Sequence, residues 1–203
     1  MRIMNRGYFL FWRIIMNLKA MNMFLSEDNI KRHLEHLRTL RLKYSIIEKS
    51  FPEFKGKGIK EILRMNINKD LKDEALSLLR SIRAHEIFFV SFTELPKRPD
   101  GVMRHYLSRE RLLYELFNAG KERVCGFLFL YLDKYGIPRY SFSAWDDGAF
   151  LRYEPILAVD MYEHAYFSDY GFAKEKYLHS ALEYLDLERL SVTLDNRKEK
   201  GYN

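Results

Sequence analysis

The stretch VDMYEHAYFSDY, from Val159 to Tyr170, places Asp160 four residues ahead of His164, with Glu163 between them. A carboxylate and an imidazole four apart on a short helix lie one above the other, so both reach a common point from the same side. Two further histidines stand on apolar helical stripes. His33 falls in line with Ile30, Leu34, Leu37, Arg41 and Tyr44, and His85 with Leu71, Ala75, Leu78, Leu79, Ile82 and Phe89. A lone histidine on such a face is ordinarily a satisfied core residue. Two of them, on helices that bury their stripes against each other, bring two imidazoles into a dry core, which is costly unless something satisfies them. Three neutral imidazole nitrogens and one carboxylate oxygen suit a borderline first-row metal ion and leave room for one water or substrate. His36, His105 and His179 receive no role.

The elements that must position these residues follow from caps, periodicity and breakers. Ser26 predicts a helix start, and the pattern runs to about Lys49. FPEFKGKG, from Phe51 to Gly58, is a loop, and Ile59 to Arg64 a short helical piece. A second long helix spans about Lys69 to Phe92, and LPKRPDG from Leu95 to Gly101 breaks the chain. Ser108 caps a helix to about Asn118. Strands are expected over Val124–Leu132, Ile137–Ala144 and Tyr153–Val159, then helical pieces around Tyr162–Phe167 and Phe172–Leu187 and a frayed charged tail from Asp195. The expected fold is α+β: a long helical hairpin over residues 25–95, then a C-terminal α/β domain over 96–203 with a three-stranded antiparallel sheet. Residues 1–24 are read as an N-terminal extension without function.

The 203 residues carry 47% hydrophobic and 31% charged side chains, an ordinary composition for a protein with a real core. The net charge of +6 serves solubility or steers an anion. No basic tail or RNA-type aromatic motif accompanies it, which argues against a nucleic-acid partner. No apolar run is long enough to span a bilayer, and Arg13 interrupts the weakly signal-like start, so no membrane partner is expected. Cys125 is the single cysteine, which excludes an internal disulfide and fits a cytoplasmic location.

Together these motifs resemble the iron/manganese superoxide dismutases. DMYEHAYFSDY is similar to that family's DxWEHAYYxDY, AKEKYL from Ala173 to its ARPxYL, and AHEIFF from Ala84 to its NHxFYW. LSEDNIKRH from Leu25 resembles its first helix start, FKGK from Phe54 with EILR from Glu61 its loop and short helix, and GFLFL from Gly126 its GWxWL strand. The motifs occur in the family's order from Leu25 to Leu187. The resemblance implies one iron or manganese ion per chain, held by His33, His85, Asp160 and His164. It implies superoxide as substrate, with dioxygen and hydrogen peroxide as products. It also implies a homodimer in which Glu163 crosses to the partner's copy of His164 and orients it.

Around those four residues the family pattern changes. Leu37 stands where the family has a histidine, and Arg41 where it has a gateway tyrosine, with Tyr44 one turn further on the same face. The family's pocket tryptophans correspond to Phe127 or Phe129, Phe89 and Tyr162. The family's glutamine beside the metal-bound water comes from one of two places, which here hold Ser81 and Asp146. Arg41, Tyr44 and Asp146 are therefore the expected catalytic residues, with Arg41 and Lys174 attracting the anion. A carboxylate at Asp146 would favour the oxidised ion and lower its potential. The alternative reading is a metal-binding relative with little dismutase activity, acting as a metal-holding or interaction protein.

Overall fold

The computed structural model of the chain describes residues 18–96, 108–143 and 154–199. Helix α1 spans Glu27–Ser50, and its start is set by Ser26, whose hydroxyl accepts the Asn29 N–H while Glu27 and Asp28 face the positive end of the helix. A short 3-10 turn, Pro52–Phe54, and helix α2, Ile59–Arg64, lead into α3, Lys69–Phe89, capped by Asn68. Residues early in α1 lie against residues late in α3, so the two pack antiparallel and bury Ile30, His33, Leu37, Ala75, Ile82, His85, Phe88 and Phe89. Arg41 is exposed instead of sharing this stripe.

Helix α4, Arg109–Lys121, begins after Ser108 as its sequence predicts. Strands β1, Phe127–Leu132, β2, Pro138–Ser143, and β3, Leu157–Asp160, form an antiparallel sheet in the order β2-β1-β3. Strand β1 starts three residues later than its apolar run suggests. Gly126 takes φ +140°, and a Cβ there would meet the Ser143 carbonyl oxygen at 3.0 Å and the Phe142 ring at 2.8 Å. In the β1–β3 register Phe127 lies opposite Asp160, so both side chains leave the sheet on one face.

Helices α5, Glu163–Tyr170, α6, Lys174–Glu183, and α7, Glu188–Glu199, complete the described chain. The helical run expected over Phe172–Leu187 thus ends early, and a further helix occupies the region expected to be frayed. Leu190 and Leu194 are buried and anchor that helix despite its polar sequence. Among the described residues no helix is long and apolar enough to cross a membrane. Cys125 is exposed and free.

Two polar links join the helical hairpin to the sheet half. Asp169, on α5, accepts from the Ser26 N–H at 2.8 Å, the Ser26 hydroxyl at 2.6 Å and the Asn29 amide at 3.1 Å, which fixes the start of α1 against α5. Ser91, just past α3, accepts the Ala158 N–H of β3 at 2.8 Å and donates to the Ile87 carbonyl at 2.7 Å. These links hold the four site residues at fixed separations, because each residue sits within about two turns of one of them.

Candidate metal centre

His33 comes from α1, His85 from α3, Asp160 from the last position of β3 and His164 from the first turn of α5. The Asp160–His164 pair therefore does not share a helix. The chain turns from strand to helix between them, and Asp160 Oδ1 accepts the Tyr162 N–H at 2.9 Å to make that turn. Its main-chain oxygen accepts the Tyr177 hydroxyl at 2.7 Å. Oδ2 is left pointing at the histidines.

The three Nε2 atoms close on that single oxygen. Asp160 Oδ2 lies 3.2 Å from His33, 3.5 Å from His85 and 3.1 Å from His164. The Nε2 atoms of His85 and His164 are 3.3 Å apart, and one donor atom from each of the four residues lies within 4.8 Å of every other. Donors about 2.1 Å from a common ion are separated by about 3.0 Å at a right angle and about 3.6 Å at 120°. The three contacts to Asp160 Oδ2 and the His85–His164 contact fall in that interval.

Hydrogen bonding and charge fix what these atoms present. His85 Nδ1 donates to the Ser81 carbonyl at 2.7 Å, because a carbonyl only accepts. Burial, the largest influence, holds the His85 ring down to about 3, so it is neutral at pH 7 and turns the lone pair of Nε2 toward Asp160 and His164. Burial likewise lowers His33. For His164 burial alone would lower the pKa, but the hydrogen bond and charge of Asp160 raise it. Burial would raise the Asp160 carboxyl, yet the close approach of the His164 and His33 rings, with the positive charge they can carry, holds it well below the usual range. His33 Nε2 and Asp160 Oδ2, though close, are left without a well-directed hydrogen bond. A lone pair facing a carboxylate in a dry pocket is repulsive. A cation at the common point converts both contacts into bonds, so the donor set fits a metal ion.

Aromatic rings wall the cluster. Phe88 and Phe89 lie 4.8 and 5.1 Å from the His33 ring, Phe127 lies 5.2 Å from His85, and Tyr162 stacks on His164 at 5.7 Å. Phe129 stacks on Phe127 at 5.5 Å. His33, His85 and Asp160 have no exposed side-chain surface, whereas His164 is 32% exposed, which marks the open side.

The other expected residues are placed less centrally. Arg41 pairs with Glu86, the residue after His85, at 2.8 Å, and Glu86 also pairs with Arg83. Tyr44 is buried with an unpartnered hydroxyl; burial and the charge of Glu48 push it up to about 12. Neither Arg41 nor Tyr44 is among the charges that set the pKa values of the four donors. Lys174 donates to the Arg123 carbonyl. Ser81 is buried and its hydroxyl unpartnered, and its carbonyl serves His85. Glu163 is exposed at the start of α5. Asp146 lies outside the described residues. The residue the sequence reading passed over is His36, whose ring sits 4.6 Å from His164 and 5.0 Å from His85. Its spacing of three from His33 on one helix was the available signal.

Residues 99–192 match the model of the C-terminal domain of iron/manganese superoxide dismutases. Two curated relatives from Haloferax volcanii, superoxide dismutase [Mn] 2 and superoxide dismutase [Mn] 1, are each 27% identical over 122 residues. Each match covers 57% of this chain, and the chain spans 61% of each relative's length. The domain match takes in Asp160 and His164 with Phe127 and Tyr162 of the aromatic wall, and the helical hairpin brings His33 and His85 to the same point. Residues 99–192 thus carry the C-terminal domain of the iron/manganese superoxide dismutase family.

Proposed function

We propose that the chain is a superoxide dismutase working through one iron or manganese ion held by His33, His85, Asp160 and His164. The observation that carries this reading is the His85 lone pair, pinned inward by the Ser81 carbonyl and facing a buried carboxylate. When bound, the ion supplies one-electron oxidation of one superoxide and one-electron reduction of a second, so two superoxides and two protons become dioxygen and hydrogen peroxide. The chain's own contribution begins with charge. Three neutral imidazoles and one carboxylate give the donor set a charge of −1, which leaves a divalent or trivalent ion net positive and attractive to an anion. The aromatic wall keeps bulk water from the donors and sharpens that attraction. The open His164 side admits a two-atom anion, while Arg41 and Arg83 are balanced by Glu86 and Glu154, so the attraction comes from the ion itself.

A homodimer belongs to the same proposal. Glu163 and the partly exposed His164 lie beside Phe167 and Phe172, two exposed rings in edge contact at 5.3 Å. A second copy packed there would cover these rings and bring its own Glu163 to His164.

The test is to load the purified chain with iron or with manganese, determine metal per chain, and follow superoxide removal. One ion per chain with turnover far above that of the free ion is the expected result. A second reading, a metal-holding relative with little turnover, is favoured by Leu37 and Ser81, which are apolar or short where the family has longer polar side chains. One tightly held ion without turnover would establish it in place of the first.

A further inference from the structure

His36 is half-buried, yet its Nε2 has no exposed surface and no hydrogen-bond partner. Nε2 is therefore the inward end of the ring. The ring lies 5.0 Å from His85, tilted 52°, and 4.6 Å from His164, tilted 36°. These separations are no longer than those among the site's own histidines, which run from 5.0 to 5.5 Å. Even so, His36 is not one of the four residues whose donor atoms converge. It stands against the edge of the cluster formed by His85 and His164, the one of the four that is partly exposed. An imidazole nitrogen buried there without a partner is costly, about 1–3 kcal/mol by general experience, unless something in the site completes it.

Resting on the function proposed above, we infer that His36 is a substrate-positioning residue: in its Nε2–H tautomer it donates a hydrogen bond to the small anion that approaches the ion on the His85–His164 side. Helix α1 delivers this group three residues after His33, because a spacing of three returns to the same face. Leu37, at the spacing of four, is buried and offers no polar atom, and Ser81 turns its carbonyl to His85. His36 is thus a polar side chain whose ring lies against both His85 and His164.

The test uses the metal-loaded full chain and azide as the probe anion, read by the absorption change on binding. Metal per chain is determined first for the wild type and for His164→Ala. Wild type holding one ion, with His164→Ala losing it, supports the metal reading. A wild type without metal overturns that reading and this inference with it. His36→Phe keeps a ring against His164 and removes the nitrogen. It should retain one ion per chain and raise the azide dissociation constant about tenfold, the loss expected for one hydrogen bond to a charged group. His36→Gln, which restores an N–H donor, should recover most of that loss. Unchanged azide affinity in His36→Phe overturns the assignment. So does loss of the ion in His36→Phe, which would make His36 a ligand, and so does failure of His36→Gln to improve on His36→Phe.

Discussion

Replacing Ser91 with alanine should weaken the protein out of proportion to the one atom removed. The Ser91 side chain is fully buried, and its Oγ links the end of α3 to β3. The Ile87 carbonyl keeps a second partner, the Val90 N–H at 3.1 Å, so its loss is small. The Ala158 N–H has no such reserve: without Oγ it is buried unpaired, at about 1–3 kcal/mol. A central value of about 2 kcal/mol corresponds to a drop of about 4–8 °C in Tm for a chain of this size. The control is Thr39→Ala, which removes another hydroxyl bonded to the carbonyl four residues back, Glu35 at 3.0 Å, but from an exposed position. That change should stay within about 0.5 kcal/mol. Urea unfolding of both variants, metal-free, separates them. If Ser91→Ala and Thr39→Ala lose the same amount, the Ser91 bridge does not hold β3, and the positioning of Asp160 two residues beyond it must be explained otherwise.

Asp169→Ala removes three hydrogen bonds to the start of α1. Because the contact is exposed, we expect a loss of about 1 kcal/mol, with hydrogen exchange rising first in the initial turn of α1; unchanged exchange there contradicts the docking role. The metal-free protein should also lose stability on mild acidification. His85 is held down to about 3, against about 6.5 in an unfolded chain. Between those values the unfolded chain binds the proton and the folded chain does not, so stability falls as pH drops, approaching about 1.4 kcal/mol per pH unit from this residue. The lowered His33 adds in the same direction. The raised His164 acts the other way as pH falls through the unfolded value near 6.5, and adds no further slope once both states are protonated. Chemical denaturation at pH 6.5, 5.5 and 5.0 measures the effect, and a flat profile rules out neutral buried histidines.

Much of the fold was legible because local signals agreed with the tertiary outcome. Ser26, Asn68 and Ser108 each cap the helix that follows, two of them just where a hydroxyl precedes an apolar periodicity. The lead histidines were legible for the same reason, since each lay on a stripe that had to be buried. What failed were inferences that spacing alone cannot carry. Asp160 and His164 stand four apart, but a strand ends and a helix begins between them, and only the Tyr162 N–H bond reveals the turn. The segment from Asp195 reads as a polar tail, yet to Glu199 it continues helix α7, which Leu190 and Leu194 dock from before it. Arg41 sits in helical phase with the buried stripe, yet its charge is drawn outward by Glu86. His36 offered only its spacing of three from His33, and its meaning depends on α5 bringing His164 against it.

The central claim is that four side chains from α1, α3, β3 and α5 bind one transition-metal ion. A crystal structure of the metal-loaded chain, with anomalous data collected at the iron or manganese edge, tests it most directly. The account predicts one strong peak per chain, bonded to Nε2 of His33, His85 and His164 and to Oδ2 of Asp160. A loaded protein whose peak lies elsewhere, or whose four side chains hold no ion, would contradict it.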